Sequence, residues 1–173
     1  ALWVKDAITV NAPGKVVEAY AQLFLDRGGR IEQASAASLT TMDDRWLVNT
    51  QKGPFDANLV VVALGPWSRP FLERAGLRVP MAYERGYHMH YSGAVTGGNL
   101  SLTRPIYDPA GGYVLSPMEQ GLRLTTGVEL NDCEAPPNHA QLDMAEKSAR
   151  EAIDLGERKD QTPWMGRRPT LPD

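Results

Sequence analysis

Two adjacent arginines near the end of the chain are the residues best suited to bind a charged ligand. Arg167 and Arg168 stand directly before Pro169. Because proline restricts the residue before it to extended conformations, the Arg168 side chain is presented from a stiff backbone. A planar guanidinium can hold a carboxylate through two parallel hydrogen bonds. The local sequence therefore allows a carboxylate site, although by itself it favours a solvated arginine pair beside a turn.

A glycine turn after an apolar run is a second candidate site. Leu59–Leu64 shows no polar alternation, which is typical of a strand buried on both faces of a parallel sheet. Gly65 ends this run, and Trp67–Ala75 is predicted to form a short helix. Glycine lets a backbone approach a ligand closely, and open α/β sheets bind ligands beyond the carboxyl ends of their strands. The pattern predicts a ligand-binding corner, with a simple strand-to-helix turn as the alternative that the local sequence favours.

Two histidines raise the question of a metal site. His88 and His90 alternate within Tyr83–Tyr91, a stretch that is predicted to form a β-strand. Residues two apart on a strand share one face, so the two imidazoles could bind a metal in principle. No third ligand has a suitable spacing, and we predict no metal site.

The elements that must position these residues predict an α+β fold. Apolar residues recur at helical spacing between Pro13 and Gly28, which indicates an amphipathic helix. Ala37–Met42 and Trp46–Thr50 are predicted strands joined by a polar turn. We predict an α/β-like part over residues 1–82 and an antiparallel sheet with a helix over residues 83–158. Residues 159–173 are predicted to return to the first part.

Composition excludes several classes of function. The chain has 173 residues and a formal net charge of −3, and its scattered Lys and Arg form no basic stripe, so we predict no nucleic-acid partner. The longest apolar run is too short to span a bilayer. The single cysteine, Cys133, rules out an internal disulfide. We expect a cytoplasmic protein, with association at a membrane surface left open. Both chain ends lead us to expect an internal piece of a larger protein.

Three segments, in the same order along the chain, resemble one enzyme family. Trp164–Asp173 resembles the W-x-G-x-R-P-x-x-P-D motif of the glycine oxidase and D-amino acid oxidase/dehydrogenase family. Asp56–Ser68 resembles the family's A-D-x-V-V-V-A-x-G-x-W-S strand and turn. Gly111–Leu130 resembles the hairpin of its substrate domain. The resemblance implies an FAD-dependent oxidoreductase that oxidises the C–N bond of an amino acid, most readily a D-amino acid, by hydride transfer to FAD.

The resemblance also implies roles for individual residues on the substrate side. Arg168 matches the arginine that binds the substrate carboxylate, whereas Arg167 falls at a variable position and receives no role. Tyr113 matches a tyrosine that helps to close the pocket, with a half-buried strand aromatic as the alternative. Tyr87 and His88 are weaker candidates for the same pocket. No side chain is assigned as a catalytic acid or base, because a neutral substrate amine suffices.

On the cofactor side, the resemblance places the glycine turn beside the flavin. Gly65 and Trp67 match the family's turn, with Ala63 and Leu64 as weaker neighbours. The three predicted parts then become a partial FAD-binding domain over residues 1–82, a substrate-binding domain over residues 83–158, and a return to the FAD domain over residues 159–173.

One departure from the family limits what these residues are expected to do alone. The family begins with G-x-G-x-x-G, where the FAD pyrophosphate binds, and the 173 residues contain no such motif. We therefore expect the isolated chain to hold no FAD tightly and to be inactive, and we expect exposed apolar surface that allows self-association. The alternative is a small module that binds a small molecule or a partner without catalysis.

Overall fold

The computed structural model describes residues 6–96 and 99–172 of the chain. The helices in these residues are α1 (Pro13–Asp26), α2 (Ser68–Arg74) and α3 (Ala140–Ala152), with a 3₁₀ turn at Gly65–Trp67. The strands are β1 (Ala36–Met42), β2 (Arg45–Thr50), β3 (Gly53–Ala57), β4 (Ala82–Tyr91), β5 (Val95–Thr96), β6 (Asn99–Leu100), β7 (Ile106–Asp108), β8 (Tyr113–Met118), β9 (Gly121–Leu130) and β10 (Trp164–Thr170). The α+β fold class predicted from the sequence is confirmed.

The chain divides into two compact units. Unit 1 comprises Ala1–Arg27, Gly86–Glu129 and Pro136–Gly166. Unit 2 comprises Gly28–Arg85, Leu130–Ala135 and Arg167–Asp173. The domain boundaries predicted from the sequence stay a prediction.

The core of unit 1 lies between helix α3 and the sheet. The sheet has the strand order β10-β4-β9-β8-β7, and β8 pairs antiparallel with both β7 and β9. The buried core side chains are Tyr87, Met89, Tyr91, Tyr113, Leu115, Leu122, Leu124, Leu142, Ala145, Ala149 and Leu155. Those from β4 occupy alternate positions, so the histidines between them point to the opposite face. Burial of each leucine stabilises the fold by roughly 1.5–3 kcal/mol.

Unit 2 contains a three-stranded antiparallel meander, β1-β2-β3. The predicted turn between its first two strands is present. Asp43 takes a positive φ of 52° there, a conformation that aspartate tolerates better than most residues. Met42 pairs with Arg45 across the turn, and Trp46 of β2 pairs with Ala57 of β3.

One apolar segment does not form the predicted strand. Leu59–Leu64 is extended but belongs to no strand in the part of the chain that the structure describes, and Leu59 and Val61 are each 79% exposed. A segment becomes a strand only when a neighbour supplies hydrogen bonds, and no strand among the described residues pairs with this one.

Helix α1 has the predicted bounds, but its apolar side chains are not buried. Val16, Tyr20, Leu23 and Phe24 are all exposed, at 41–70% of their surface. Within residues 6–96 and 99–172, no helix is both long and apolar enough to cross a bilayer.

Candidate functional site

Arg168 presents a largely free guanidinium in unit 2. It lies on β10 directly before Pro169, and its side chain is 73% exposed. Its Nη1 atom is 3.4 Å from Oε2 of Glu84, which is a long and single contact. An exposed ion pair of this kind contributes at most about 1 kcal/mol. The guanidinium can therefore exchange this contact for a bidentate one with a carboxylate ligand.

The neighbouring Arg167 has a structural role that the sequence did not indicate. Its Nε atom donates a hydrogen bond of 2.7 Å to the carbonyl of Cys133, and its Nη2 atom is 3.7 Å from Glu134. Arg85, which is fully buried, donates to the carbonyl of Ala135 in the same segment. Neighbouring residues on a strand point to opposite faces. One guanidinium is therefore used to hold residues 130–135 in unit 2, and the next is left exposed.

Replacement of Arg167 by glutamine is expected to destabilise unit 2 by about 1–3 kcal/mol, because a charge-assisted hydrogen bond to a carbonyl is lost. Urea unfolding of the purified protein measures this change. The matched control is Arg78→Gln, which removes an exposed guanidinium from the same unit and should leave stability within about 0.5 kcal/mol. If the two substitutions lower the free energy of unfolding by the same amount, the hydrogen bond from Arg167 to the carbonyl of Cys133 does not contribute to stability.

In unit 1, three polar side chains hold one another on the face of the sheet opposite the core. His90 Nδ1 is 2.8 Å from Oδ2 of Asp160, which also accepts a 2.8 Å hydrogen bond from the His90 backbone. Arg123 Nε donates to His90 Nε2 over 3.1 Å. Because a guanidinium only donates, Nε2 must be the acceptor and the ring proton must lie on Nδ1. Both ring nitrogens of His90 therefore already have hydrogen-bond partners within the network.

Asp160 stays ionised in this network. Burial acts to raise the pKa of its carboxyl, but the hydrogen bonds from the backbone and ring of His90 outweigh burial and leave the pKa below its ordinary value. An ionised Asp160 in turn keeps His90 in the tautomer that accepts from Arg123.

His88 lies beside this network and stacks on Trp164. The ring centroids are 4.5 Å apart with an interplanar angle of 22°, while His90 meets His88 edge-on at 5.1 Å. Burial and then the positive charge of Arg123 lower the pKa of His88 to about 4. At neutral pH the stack is therefore an uncharged imidazole on an indole.

The lowered pKa of His88 predicts that the fold weakens on acidification. Between its ordinary value of 6.5 and about 4, the unfolded chain binds a proton that the folded chain does not. Stability should therefore fall as the pH drops through this window. The depressed pKa of Asp160 acts at lower pH, since its stabilisation is lost only as the carboxylate is protonated.

His88→Phe keeps a stacking ring and should flatten the dependence of the melting temperature on pH between about pH 6.5 and about pH 4. His139→Phe, at an exposed histidine of the same unit, should keep the slope of the unmodified protein. If the melting temperature of His88→Phe falls with pH as steeply as that of the unmodified protein, the lowered pKa of His88 is not the cause of the acid sensitivity.

A cleft of about 570 Å³ opens beside this stack within unit 1. Its walls include His88, Pro163, Trp164 and Met165, together with Thr162. The volume falls within the range of about 300–1,000 Å³ that is usual for small-molecule sites. Among the described residues, no group of three His, Cys, Asp or Glu side chains could hold a metal ion.

The predicted substrate-side residues are distributed over the two units. Tyr87 and Tyr113 lie together in the core of unit 1, at 1% and 2% exposure. The Tyr87 hydroxyl donates to Glu129 over 2.7 Å and accepts from the backbone of Asn138, so its polar end is already used. Tyr113 lies on β8 as a strand aromatic, but it is fully buried and not half-buried as the alternative left open by the sequence had it. His88 faces the cleft and Arg168 lies in unit 2. A substrate role for each of these residues stays a prediction.

The predicted cofactor-side residues form one exposed turn in unit 2. Ala63 and Leu64 end the extended run, Gly65 has a φ of 58°, and Trp67 is 55% exposed. Apart from Gly65 and its two chain neighbours, no described residue has an atom within 4 Å of the place where a Cβ of Gly65 would be. A bare backbone flanked by apolar side chains fits the close approach of a flat, largely apolar ring system such as a flavin.

The fold and these sites agree with one protein family. The family of FAD-dependent oxidoreductases known as DAO matches residues 1–173, and the chain belongs to it. A D-amino-acid oxidase of Bradyrhizobium diazoefficiens is 28% identical over 176 residues, which cover 98% of this chain and 41% of that protein. The chain thus spans about two fifths of the length of the curated relative that it matches.

Solved structures of related enzymes show the same fold. Glycine oxidase from Geobacillus kaustophilus superposes with a TM-score of 0.74 at 17% identity, covering 90% of this chain and 42% of that one. L-amino acid deaminase from Proteus vulgaris, with its specific insertion deleted, gives a TM-score of 0.59 at 27% identity, covering 88% and 38%.

Proposed function

We propose that the protein containing these residues oxidises the C–N bond of an amino acid, with FAD as the hydride acceptor. Family membership supports the flavin chemistry. The observation that carries the amino-acid assignment is the exposed guanidinium of Arg168, which a stiff Arg-Pro backbone presents with a single long contact to Glu84. The similarity to a D-amino-acid oxidase supports a D-amino acid as the substrate.

Arg168 contributes to the proposed reaction by orienting the substrate. A bidentate pair with the substrate carboxylate fixes two points of the molecule and so limits the directions in which the α-carbon hydrogen can point. FAD, when bound, accepts the hydride that leaves this carbon. The substrate amine enters neutral and loses one proton, so that an imino acid forms, and water then converts it to a keto acid and ammonia. No described side chain of unit 1 or unit 2 is assigned as the base.

The turn of Ala63, Leu64, Gly65 and Trp67 is the part of this chain that we assign to the cofactor. Its open side could lie against the flavin ring without a Cβ in the way. The apolar side chains of Leu64 and Trp67, 39% and 55% exposed, would then lose water on binding.

Anaerobic reduction of the flavin tests this function. The flavin-loaded protein that contains these residues is mixed in turn with D-amino acids, L-amino acids, glycine and N-methyl amino acids. We expect loss of the oxidised flavin absorption with one or more D-amino acids and production of the keto acid. If no member of the panel reduces the flavin, the proposed oxidation is wrong and a non-catalytic binding module becomes the better description.

A further inference from the structure

The partner of the Arg168 guanidinium is a carboxylate on the neighbouring strand. In the sheet, β10 lies next to β4, and the first turn of the latter strand's chain into the sheet carries Glu84. Glu84 and Arg168 both belong to unit 2, where Oε2 of the carboxylate is 3.4 Å from Nη1 of the guanidinium. A negative and a positive group are therefore placed side by side within one unit.

Alternation along the two strands directs both side chains to one face. Arg85 of β4 and Arg167 of β10 both donate to backbone carbonyls within residues 130–135, so these two guanidiniums point the same way. Neighbouring residues on a strand point to opposite faces. Glu84 and Arg168 are therefore directed together to the other face. Their proximity is set by the pairing of the strands as well as by the side chains themselves.

The two charged groups differ in how much of their surface is covered. The side chain of Glu84 is 23% exposed, whereas that of Arg168 is 73% exposed. The contact joins one atom of each group, and an exposed ion pair of this kind is weak. A ligand carboxylate has two oxygens for the guanidinium and can displace Glu84 from it. The displaced Glu84 carboxylate then lies close to the bound ligand as a hydrogen-bond acceptor.

An α-amino acid fits both of these groups at once. A single carbon atom separates its carboxylate from its amino group, so protein groups that bind the two must also be neighbours. We infer that Glu84 accepts a hydrogen bond from the amino group of the substrate while Arg168 binds its carboxylate. The inference rests on the proposed function. It makes Glu84 the residue that distinguishes an amino acid from a carboxylic acid without an amine.

A second contact also fixes the orientation of the substrate. A molecule that is held only at its carboxylate can still turn about the bond to the α-carbon, whereas a contact at the amino group stops this rotation. The arrangement of the hydrogen and the side chain around the α-carbon then decides which enantiomer presents its hydrogen to the acceptor. Glu84 receives an N–H hydrogen bond in this role and is not assigned as a base.

The test compares D-alanine with propionate, which has the same carbon skeleton and carboxylate but no amino group. Their affinities for the flavin-loaded protein are measured anaerobically as changes in the flavin spectrum, recorded by rapid mixing before any reduction. In Glu84→Gln we expect the affinity for D-alanine to fall by about 10-fold or more, because the acceptor loses its charge. The affinity for propionate should be retained or raised, by up to about 5-fold, because Glu84 no longer competes with propionate for Arg168.

Glu32→Gln is the matched control for this substitution. The side chain of Glu32 is 41% exposed and lies 3.3 Å from Arg30 in the same unit, so the substitution removes a similar ion pair. It should leave the affinities for D-alanine and propionate unchanged.

Equal losses for the two ligands in Glu84→Gln would overturn the inference, because Glu84 would then only support Arg168. Two unchanged affinities would also overturn it and would leave an ordinary surface ion pair. If the two affinities separate as expected but no amino acid reduces the flavin, the amino-group site stands and the proposed oxidation is wrong. If neither ligand binds the unmodified protein, the carboxylate site of Arg168 is wrong, and the role of Glu84 is wrong with it.

Discussion

Replacing Arg168 by alanine in the flavin-loaded protein is expected to lower kcat/KM for its amino acid substrate by about 100-fold. Loss of a charge-assisted, bidentate partner from a bound carboxylate costs about 2–5 kcal/mol. An effect near 3 kcal/mol corresponds to about two orders of magnitude in affinity. Most of the loss should appear as a higher KM, because the carboxylate is bound in both the ground state and the transition state.

A smaller decrease in kcat is expected in the same variant, because the α-carbon hydrogen is then aimed less well at its acceptor. Arg168→Lys should recover part of the affinity, since an ammonium keeps the charge but lacks the planar fork. Steady-state kinetics with a single amino acid measure all of these changes.

The control for Arg168 is Arg30, whose exposure and ion-pair distance are similar to those of Arg168. Arg30 is 83% exposed and lies 3.3 Å from Glu32, whereas Arg168 is 73% exposed and lies 3.4 Å from Glu84. Arg30→Ala therefore removes an equal charge and an equally weak ion pair from unit 2, and it should leave KM unchanged. An unchanged KM in Arg168→Ala would rule out the carboxylate site.

Replacing Gly121 by alanine is expected to produce the largest loss of stability, about 3–5 kcal/mol, because backbone strain and overpacking add. Gly121 begins β9 opposite Met118 and has a φ of 130°, which other residues rarely adopt. A Cβ there would lie 2.4 Å from the carbonyl oxygen of Tyr91. That atom belongs to the backbone of a fully buried residue, so it cannot move aside as the end of a flexible side chain could.

The matched control for Gly121 lies on the same strand. A Cβ at Gly127 would meet its nearest neighbour, Oε1 of Gln141, at an ordinary 3.8 Å. Gly127→Ala should therefore change the free energy of unfolding by no more than about 1 kcal/mol. Urea unfolding of the two variants gives the comparison. If the free energies of unfolding of the two variants differ by less than about 1 kcal/mol, the backbone around Gly121 shifts to accept a Cβ at little cost.

Short-range sequence patterns correctly predicted the elements that depend mainly on neighbouring residues in the chain. The polar turn at Asp43 and the antiparallel pair around it depend on short-range turn chemistry, and helix α1 ends close to its Pro and Gly boundaries. The same kind of reasoning failed for Leu59–Leu64. An apolar run shows that a segment can be buried, but its status as a strand depends on a neighbour that the run itself does not specify.

The candidate site shows the same division between local and distant causes. Alternation along β4 and β10 predicts that Tyr87 and His88 point to opposite faces, and likewise Arg167 and Arg168. Which member of each pair is buried depends on what packs there. Helix α3 covers the face that carries Tyr87, and the Arg167 side chain is held by its hydrogen bond to the carbonyl of Cys133 in residues 130–135. The tautomer of His90 is likewise set by Asp160, which is 70 residues away in sequence.

By itself the sequence determined the family, the fold class and the stiff presentation of Arg168, because these depend on residue types and spacings that a chain carries in any environment. Only the tertiary structure decided that Tyr113 lies in a core, that Arg167 is a structural anchor, and that Trp164 stacks on His88. These outcomes depend on contacts between residues far apart in the chain, and no local sequence pattern specifies which distant residue packs against a given side chain.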